Sequence, residues 1–265
     1  MDRTRREFLC VTGSLALFSG HVRAAPGPPT DAYHFVGSIP KTVLANYLAR
    51  SISMPGFWSQ QQNAVEDPSQ QYFSNLRMLK DIGPKHVAFA CDLSWNLGVG
   101  YDVNAVTAAG KNVADDLHAI DRDIIVGGAC YETVGPAANT VRIPAWVFHE
   151  MGLPYESRTF RWEPMVYPET LAIDIAQLES RMWYYYWSRH YIDLGLEHMH
   201  FGDLDSLTKN DGPTFAHYRD LLTRVRKYAA RRARRGVIVI SVRDPAADRF
   251  GEPGCESSDN VGEEG

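Results

Sequence analysis

Apolar positions along this chain fall into short unbroken runs separated by longer stretches in which they recur every three to four residues. The runs occupy residues 33–36, 85–91, 124–131, 197–202 and 237–240. Each is four to eight residues long and bounded by polar or breaker residues, which predicts strands buried on both faces rather than alternating, half-solvated ones. Helical spacing covers residues 40–48, 76–82, 105–120, 144–150, 175–194 and 215–234. In the fifth of these, Leu178, Met182, Trp183, Tyr186 and Trp187 mark the buried side, and Gly195 suits a left-handed cap. Pro40 fits the first turn of a helix, and Gly83-Pro84 is a strong stop. Residues 55–70, polar and carrying three consecutive Gln, read as a long loop.

Strands alternating with helices predict parallel βαβ units, because a parallel crossover needs a dozen or more residues. The class is α/β. A doubly wound sheet and a (β/α)8 barrel both satisfy the alternation. Neither a Gly-x-Gly-x-x-Gly after the first strand nor a Walker-type loop is present, which weakens nucleotide-binding versions. Long loops after strands favour a TIM-barrel-like fold with its site at the carboxyl ends of the strands. Eight strands close such a barrel and only about five are recognisable, so the expectation is an incomplete one over residues 26–242. Residues 243–265 are polar, acidic and rich in Gly, Ser and Glu, and read as a disordered tail.

The amino terminus changes this picture. Thr4-Arg5-Arg6-Glu7-Phe8-Leu9, followed by a weakly apolar stretch to Phe18 and by small residues up to Ala24-Ala25-Pro26, has the form of a twin-arginine export signal over residues 1–25. The stretch is too short and too polar to span a bilayer, and Cys10 precedes it, so no stable membrane anchor is expected. The expected location is periplasmic or secreted, with the twin-arginine translocase as a transient partner. That route carries chains folded in the cytoplasm, where disulfides are disfavoured. The remaining cysteines, Cys91, Cys130 and Cys255, are odd in number and widely spaced. A net charge of −5 leaves no nucleic-acid footprint.

Candidate chemistry lies just past the predicted strands. Asp92, Glu132 and the pair Asp203/Asp205 would converge on one barrel mouth. Two carboxyl groups across a mouth are what glycoside hydrolysis requires, one to protonate the leaving oxygen and one to attack carbon or activate water. Glu132, after Gly127-Gly128 and beside Tyr131, is the expected acid, with Asp205 or Asp203 as its partner. Desolvation would raise its pKa. Its structural alternative is a salt bridge or cap at the rim; that of Asp92 is a turn or a helix cap. Asp92, Trp95, His200, Trp146 and Trp162 are the expected sugar-binding residues, although each Trp could equally be packing. His198-x-His200 shares a strand face, one arrangement for a metal pair, yet a hydrogen-bonding wall is the preferred reading and no metal or cofactor is expected. Seven basic residues between Arg224 and Arg235 read as solvated charge at a helix carboxyl end, with a phosphate or membrane patch as the sharper alternative.

Gly127-Gly128 through Glu132, residues 143–148, Gly152-Leu153-Pro154, Arg161-Trp162-Glu163 and His200-Phe201-Gly202 together resemble a group of bacterial secreted, glycosidase-like TIM-barrel proteins. The resemblance covers roughly residues 30–240. It implies a (β/α)8 fold and a sugar-directed site without supplying catalytic residues. That group leads one to expect Glu near Asp205, where this chain carries the shorter Asp. Many glycosidase barrels also take a nucleophile from a seventh strand, and no such strand is recognisable here. The readings carried forward are an exported glycoside-hydrolase-like protein, a non-catalytic carbohydrate-binding or degenerate barrel, and a metal-dependent hydrolase.

Overall fold

The structure, a computed structural model, describes residues 30–63, 71–94 and 102–243. Five strands, β1 (Ser51–Ser53), β2 (His86–Cys91), β3 (Ile125–Ala129), β4 (His198–Asp203) and β5 (Val239–Arg243), form one all-parallel sheet in the order of the sequence. Sequential parallel order makes each strand the neighbour of the last, and the sheet curls into a half-barrel. Among the described residues there are eight α-helices: α1 (Lys41–Leu48), α2 (Phe57–Asn63), α3 (Gln71–Ile82), α4 (Val103–Ile120), α5 (Ala145–Glu150), α6 (Leu178–Leu194), α7 (Leu204–Thr208) and α8 (Ala216–Arg232).

The first strand lies elsewhere than the apolar pattern puts it. Residues 33–36 are not in the sheet: Thr30–Tyr33 is a turn of 3-10 helix, and Tyr33 and Phe35 pack edge-on against Tyr47 of α1. With Val43 and Ile125 they make a small second core at the amino ends of the strands. Alternating aromatics imitate a strand there because both plug the sheet's lower end. The true β1 is three residues long, Ser-Ile-Ser, and only Ile52 is turned toward the core. So short and polar a segment carries no hydrophobic signal. Residues 55–70 are also not all loop, since Phe57 and Trp58 are buried and anchor α2 against the rest of the core.

Several elements form for the reasons their residues suggest. Asp102 caps α4 by accepting the backbone N–H groups of Asn104 and Ala105. Gly195 ends α6 at φ +93°, the left-handed conformation that a side chain would strain. The buried Asp211 carboxylate accepts the N–H groups of His217 and Tyr218 and opens α8. Helix α6 is buried almost all round: Trp183, Tyr184, Tyr185, Trp187 and Tyr191 are all nearly inaccessible. It packs against α4, α5 and α8, and so has no solvent face of the usual width.

Polar and small residues line one face of the sheet. His86 and Ala88 on β2, Gly127 and Ala129 on β3, His198 and His200 on β4, and Ser241 on β5 alternate with Val87, Val126, Met199 and Ile240, which point into the helical layer. No helix among the described residues is long and apolar enough to cross a membrane.

Candidate functional site at the carboxyl ends of the strands

The ends of β2, β3 and β4 bring Asp92, Tyr131, Glu132 and His200 to one end of the sheet. Asp92 follows β2 directly and is 6% exposed. The Tyr131 hydroxyl donates to its Oδ2 at 3.2 Å, while Oδ1 is buried with no hydrogen-bond partner among the described residues. Burial pushes the Asp92 carboxyl up to about 7, and the Tyr131 bond only partly offsets this. Burial, and then the nearby Asp92 and Glu132 carboxyl groups, raise the Tyr131 phenol in turn. The two carboxyl groups therefore share a neighbour.

A bulge shapes this corner. Phe89 sits at φ +57° inside β2, where the register with β3 shifts between Val87 and Cys91. A phenylalanine in the left-handed region is strained, and bulges re-aim side chains near functional sites. The ring lies nearly parallel to that of Tyr131, at 6.4 Å and 11°, and 5.1 Å edge-on from His200. The sequence gives no hint of this, because an aromatic residue inside an apolar run looks like any strand position.

Glu132 is held rather than free. Its Oε2 accepts the backbone N–H of Asp203 at 3.1 Å, and its own carbonyl accepts the N–H of Ile173 at 2.7 Å. Gly202, at φ +77°, makes room for it where β4 bulges between His200 and Asp203. The Asp203 carboxylate is otherwise engaged: it caps α7 by accepting Ser206 N–H at 2.8 Å. Asp205 stands exposed in the first turn of α7, and no bond joins it to Glu132. Burial raises the pKa of Asp92, the residue placed among the sugar-binding set from sequence.

The remaining candidates divide. Trp95 lies outside the described residues, as do residues 1–29 and 244–265, on which the export signal and all but the first residue of the tail fall. Trp146 stacks on Tyr186 at 5.8 Å and 4°, with the Arg189 guanidinium 4.0 Å over its ring. Trp162 donates its indole N–H to the Val134 carbonyl at 2.7 Å. Both rings thus have protein partners. His198 and His200 do share a face, but both ring nitrogens of His198 are already hydrogen-bonded, to His86 and to Ser241. Among the described residues no group of three or more His, Cys, Asp or Glu is arranged to hold a metal.

Gly127 and Gly128 admit protein groups rather than a ligand. A Cβ at Gly127 would lie 2.6 Å from His198 Nδ1; one at Gly128 would lie 2.5 Å from the Cys91 carbonyl and 2.9 Å from Tyr191. The basic cluster is largely paired. Arg235 grips the buried Glu197 with two nitrogens at 2.6 and 2.7 Å, Arg234 adds a third bond at 2.8 Å, and Arg224 pairs with Asp220.

Neither a protein-family model nor a curated protein matches the chain.

Proposed function

We propose that this chain is an exported glycoside-hydrolase-like protein of (β/α)8 descent, acting on a carbohydrate by carboxyl acid/base chemistry at the carboxyl ends of β2, β3 and β4. The observation that carries the reading is Asp92: a carboxyl group buried at a strand end, with one oxygen unpartnered and a pKa near 7. A group of that kind is protonated in about half of the molecules at neutral pH and can give that proton to a leaving oxygen. Glu132, fixed by the Asp203 N–H, is the partner carboxylate that attacks the sugar carbon or activates water. The acid role thus moves from Glu132 to Asp92, and the partner role from Asp203 or Asp205 to Glu132. Tyr131 orients Asp92, and His200 and Phe89 stand beside Tyr131. Export would follow the twin-arginine route through residues 1–25.

Release of reducing ends from a panel of polysaccharides tests this. Activity in the wild type should fall by about 100-fold or more in both Asp92→Asn and Glu132→Gln, the usual scale for losing a general acid or its partner. Turnover that survives both substitutions overturns the assignment.

One observation favours a second reading. Among the described residues β1 and β5 each pair on one side only, so these five strands do not close a barrel. A non-catalytic carbohydrate-binding protein would show retention on a glycan array with no released sugar.

A further inference from the structure

Five side chains on the concave face of the sheet form an unbroken line of hydrogen bonds. Ser51 Oγ lies 2.8 Å from His86 Nδ1, and His86 Nε2 lies 2.9 Å from His198 Nδ1. His198 Nε2 lies 2.8 Å from Ser241 Oγ, which lies 3.0 Å from His200 Nδ1. The line runs through β1, β2, β4 and β5. It passes over β3 because Gly127 has no side chain there: a Cβ would lie 2.6 Å from His198 Nδ1 and 3.2 Å from the Ala88 Cα. A small cavity lined by Leu44, Tyr47, Leu48, Ile125 and Val239 adjoins the middle of the line. The two ends differ. Ser51 is exposed at the edge of the sheet, whereas His200 stands at the mouth beside Phe89 and Tyr131. Among the described residues its Nε2 makes no hydrogen bond.

Burial holds all three imidazoles neutral, since it lowers the pKa of His86 and His200 to about 4 and that of His198 well below its ordinary 6.5. A neutral imidazole has one N–H, so a ring bonded on both sides donates with one nitrogen and accepts with the other. If His86 donates through Nε2, then His198 accepts at Nδ1 and donates through Nε2. Ser241 in turn passes its hydroxyl proton to His200 Nδ1, and all three rings carry their proton on Nε2. If the direction reverses, all three carry it on Nδ1. A mixed pattern would have Ser241 accept from both histidines. Its own proton would then be buried without a partner, because Ser241 is 4% exposed and makes only these two bonds.

We infer that Ser51, His86, His198, Ser241 and His200 form a single proton relay in which the three imidazoles must share one tautomer. One shift along it is balanced. His200 Nε2–H releases a proton at the mouth, while His200 Nδ1 takes the Ser241 hydroxyl proton. Ser241 takes that of His198 Nε2, His198 Nδ1 takes that of His86 Nε2, His86 Nδ1 takes that of Ser51, and solvent reprotonates Ser51. No atom changes oxidation state. The use of this shift in turnover rests on the reading of the mouth as the active site; the shared tautomer does not.

Long-range 1H–15N correlation spectra of the 15N-labelled full chain near neutral pH read each ring's tautomer without any substrate. The expected result is one Nε2–H to Nδ1–H ratio common to His86, His198 and His200. Ser51→Ala, a substitution at the far end, should move all three ratios together. Ser241→Ala should release His200 from the common ratio and leave His86 and His198 matched, and Ser241→Thr should restore it. Different tautomers at the three rings of the wild type, which needs no variant to fold, overturn the relay, as does a His200 ratio unmoved by Ser51→Ala when that of His86 changes. Failure of every glycan assay would sink the proposed activity and leave this result standing.

Discussion

Gly202 and Glu132 occupy adjoining space at the end of the sheet, and only a glycine allows it. A Cβ at Gly202 would overlap Glu132 Oε2 and lie 2.6 Å from the Glu132 backbone nitrogen. Its φ of +77° is itself a conformation that side chains resist. The bulge in β4, the bond from Asp203 N–H and the position of the Glu132 carboxylate are therefore one feature.

Gly202→Ala should accordingly destabilise the fold by about 2 kcal/mol or more, combining left-handed strain with the displaced carboxylate. Urea denaturation monitored by tryptophan fluorescence would measure it. A midpoint equal to that of the wild type would mean that Glu132 is not held against Gly202.

At the opposite end of the strands, Glu197 is 1% exposed and takes three bonds from Arg234 and Arg235, while Arg235 also reaches the Tyr47 hydroxyl at 2.6 Å. Removing one side of a buried ion pair leaves the other uncompensated, at about 3–5 kcal/mol. Glu197→Ala should lower the melting temperature by many degrees, and more than Asp205→Ala, which touches an exposed helix turn. Equal losses from the two would contradict the packing described for Arg235.

Two sets of buried groups give stability opposing slopes with pH. The histidines are depressed when folded, to about 4 at His86 and His200 and well below 6.5 at His198, so their contribution is present above their unfolded value of 6.5 and is lost as pH falls toward 4. Asp92 is raised from 3.8 to about 7, so its contribution is present below 3.8 and is lost as pH rises through 7. In that window, the three histidines outweigh the single carboxyl, and stability should climb with pH. Asp92→Asn removes the opposing slope, so its advantage over wild type should grow from pH 4 to 7 and then level off. Thermal melts across that range read this directly. An advantage independent of pH would show that the Asp92 carboxyl titrates normally.

The proposed export rests on residues 1–25 alone. Arg5→Lys with Arg6→Lys should retain the precursor in the cytoplasm, since twin-arginine recognition reads that pair directly. Cell fractionation of a reporter fused after Pro26 would show it. Undiminished export in a strain lacking the twin-arginine translocase would return the segment to an ordinary secretion signal.

Periodicity exposed most of the fold because β2 to β5 and α4, α6 and α8 bury enough apolar surface to mark their sequences. It failed at β1, where Ser51 and Ser53 face the polar side of the sheet, and at Tyr33 and Phe35, whose alternation serves a plug. The acids past the strand ends were readable as candidates, but the division of labour proposed for them was not. Asp92 is buried where β2 ends, just past the bulge at Phe89, and a backbone φ leaves no mark in an aromatic residue. The relay left a faint signal: polar residues at alternate strand positions, Ser51-x-Ser53, His198-x-His200 and Ser241, inside otherwise apolar surroundings. Gly127 was noticed for its missing side chain, though the group filling that space is His198 and not a ligand.

Asp92, buried at the carboxyl end of the sheet, is proposed to keep its proton in about half of the molecules at neutral pH. Carboxyl 13C shifts of Asp92 followed through a pH titration of the full chain, with Asp92→Asn to assign the signal, test it most directly. The expected midpoint is about 7. A midpoint at the ordinary aspartate value, near 3.8, would leave the carboxyl ionised where a donor is needed and would remove Asp92 from the acid role.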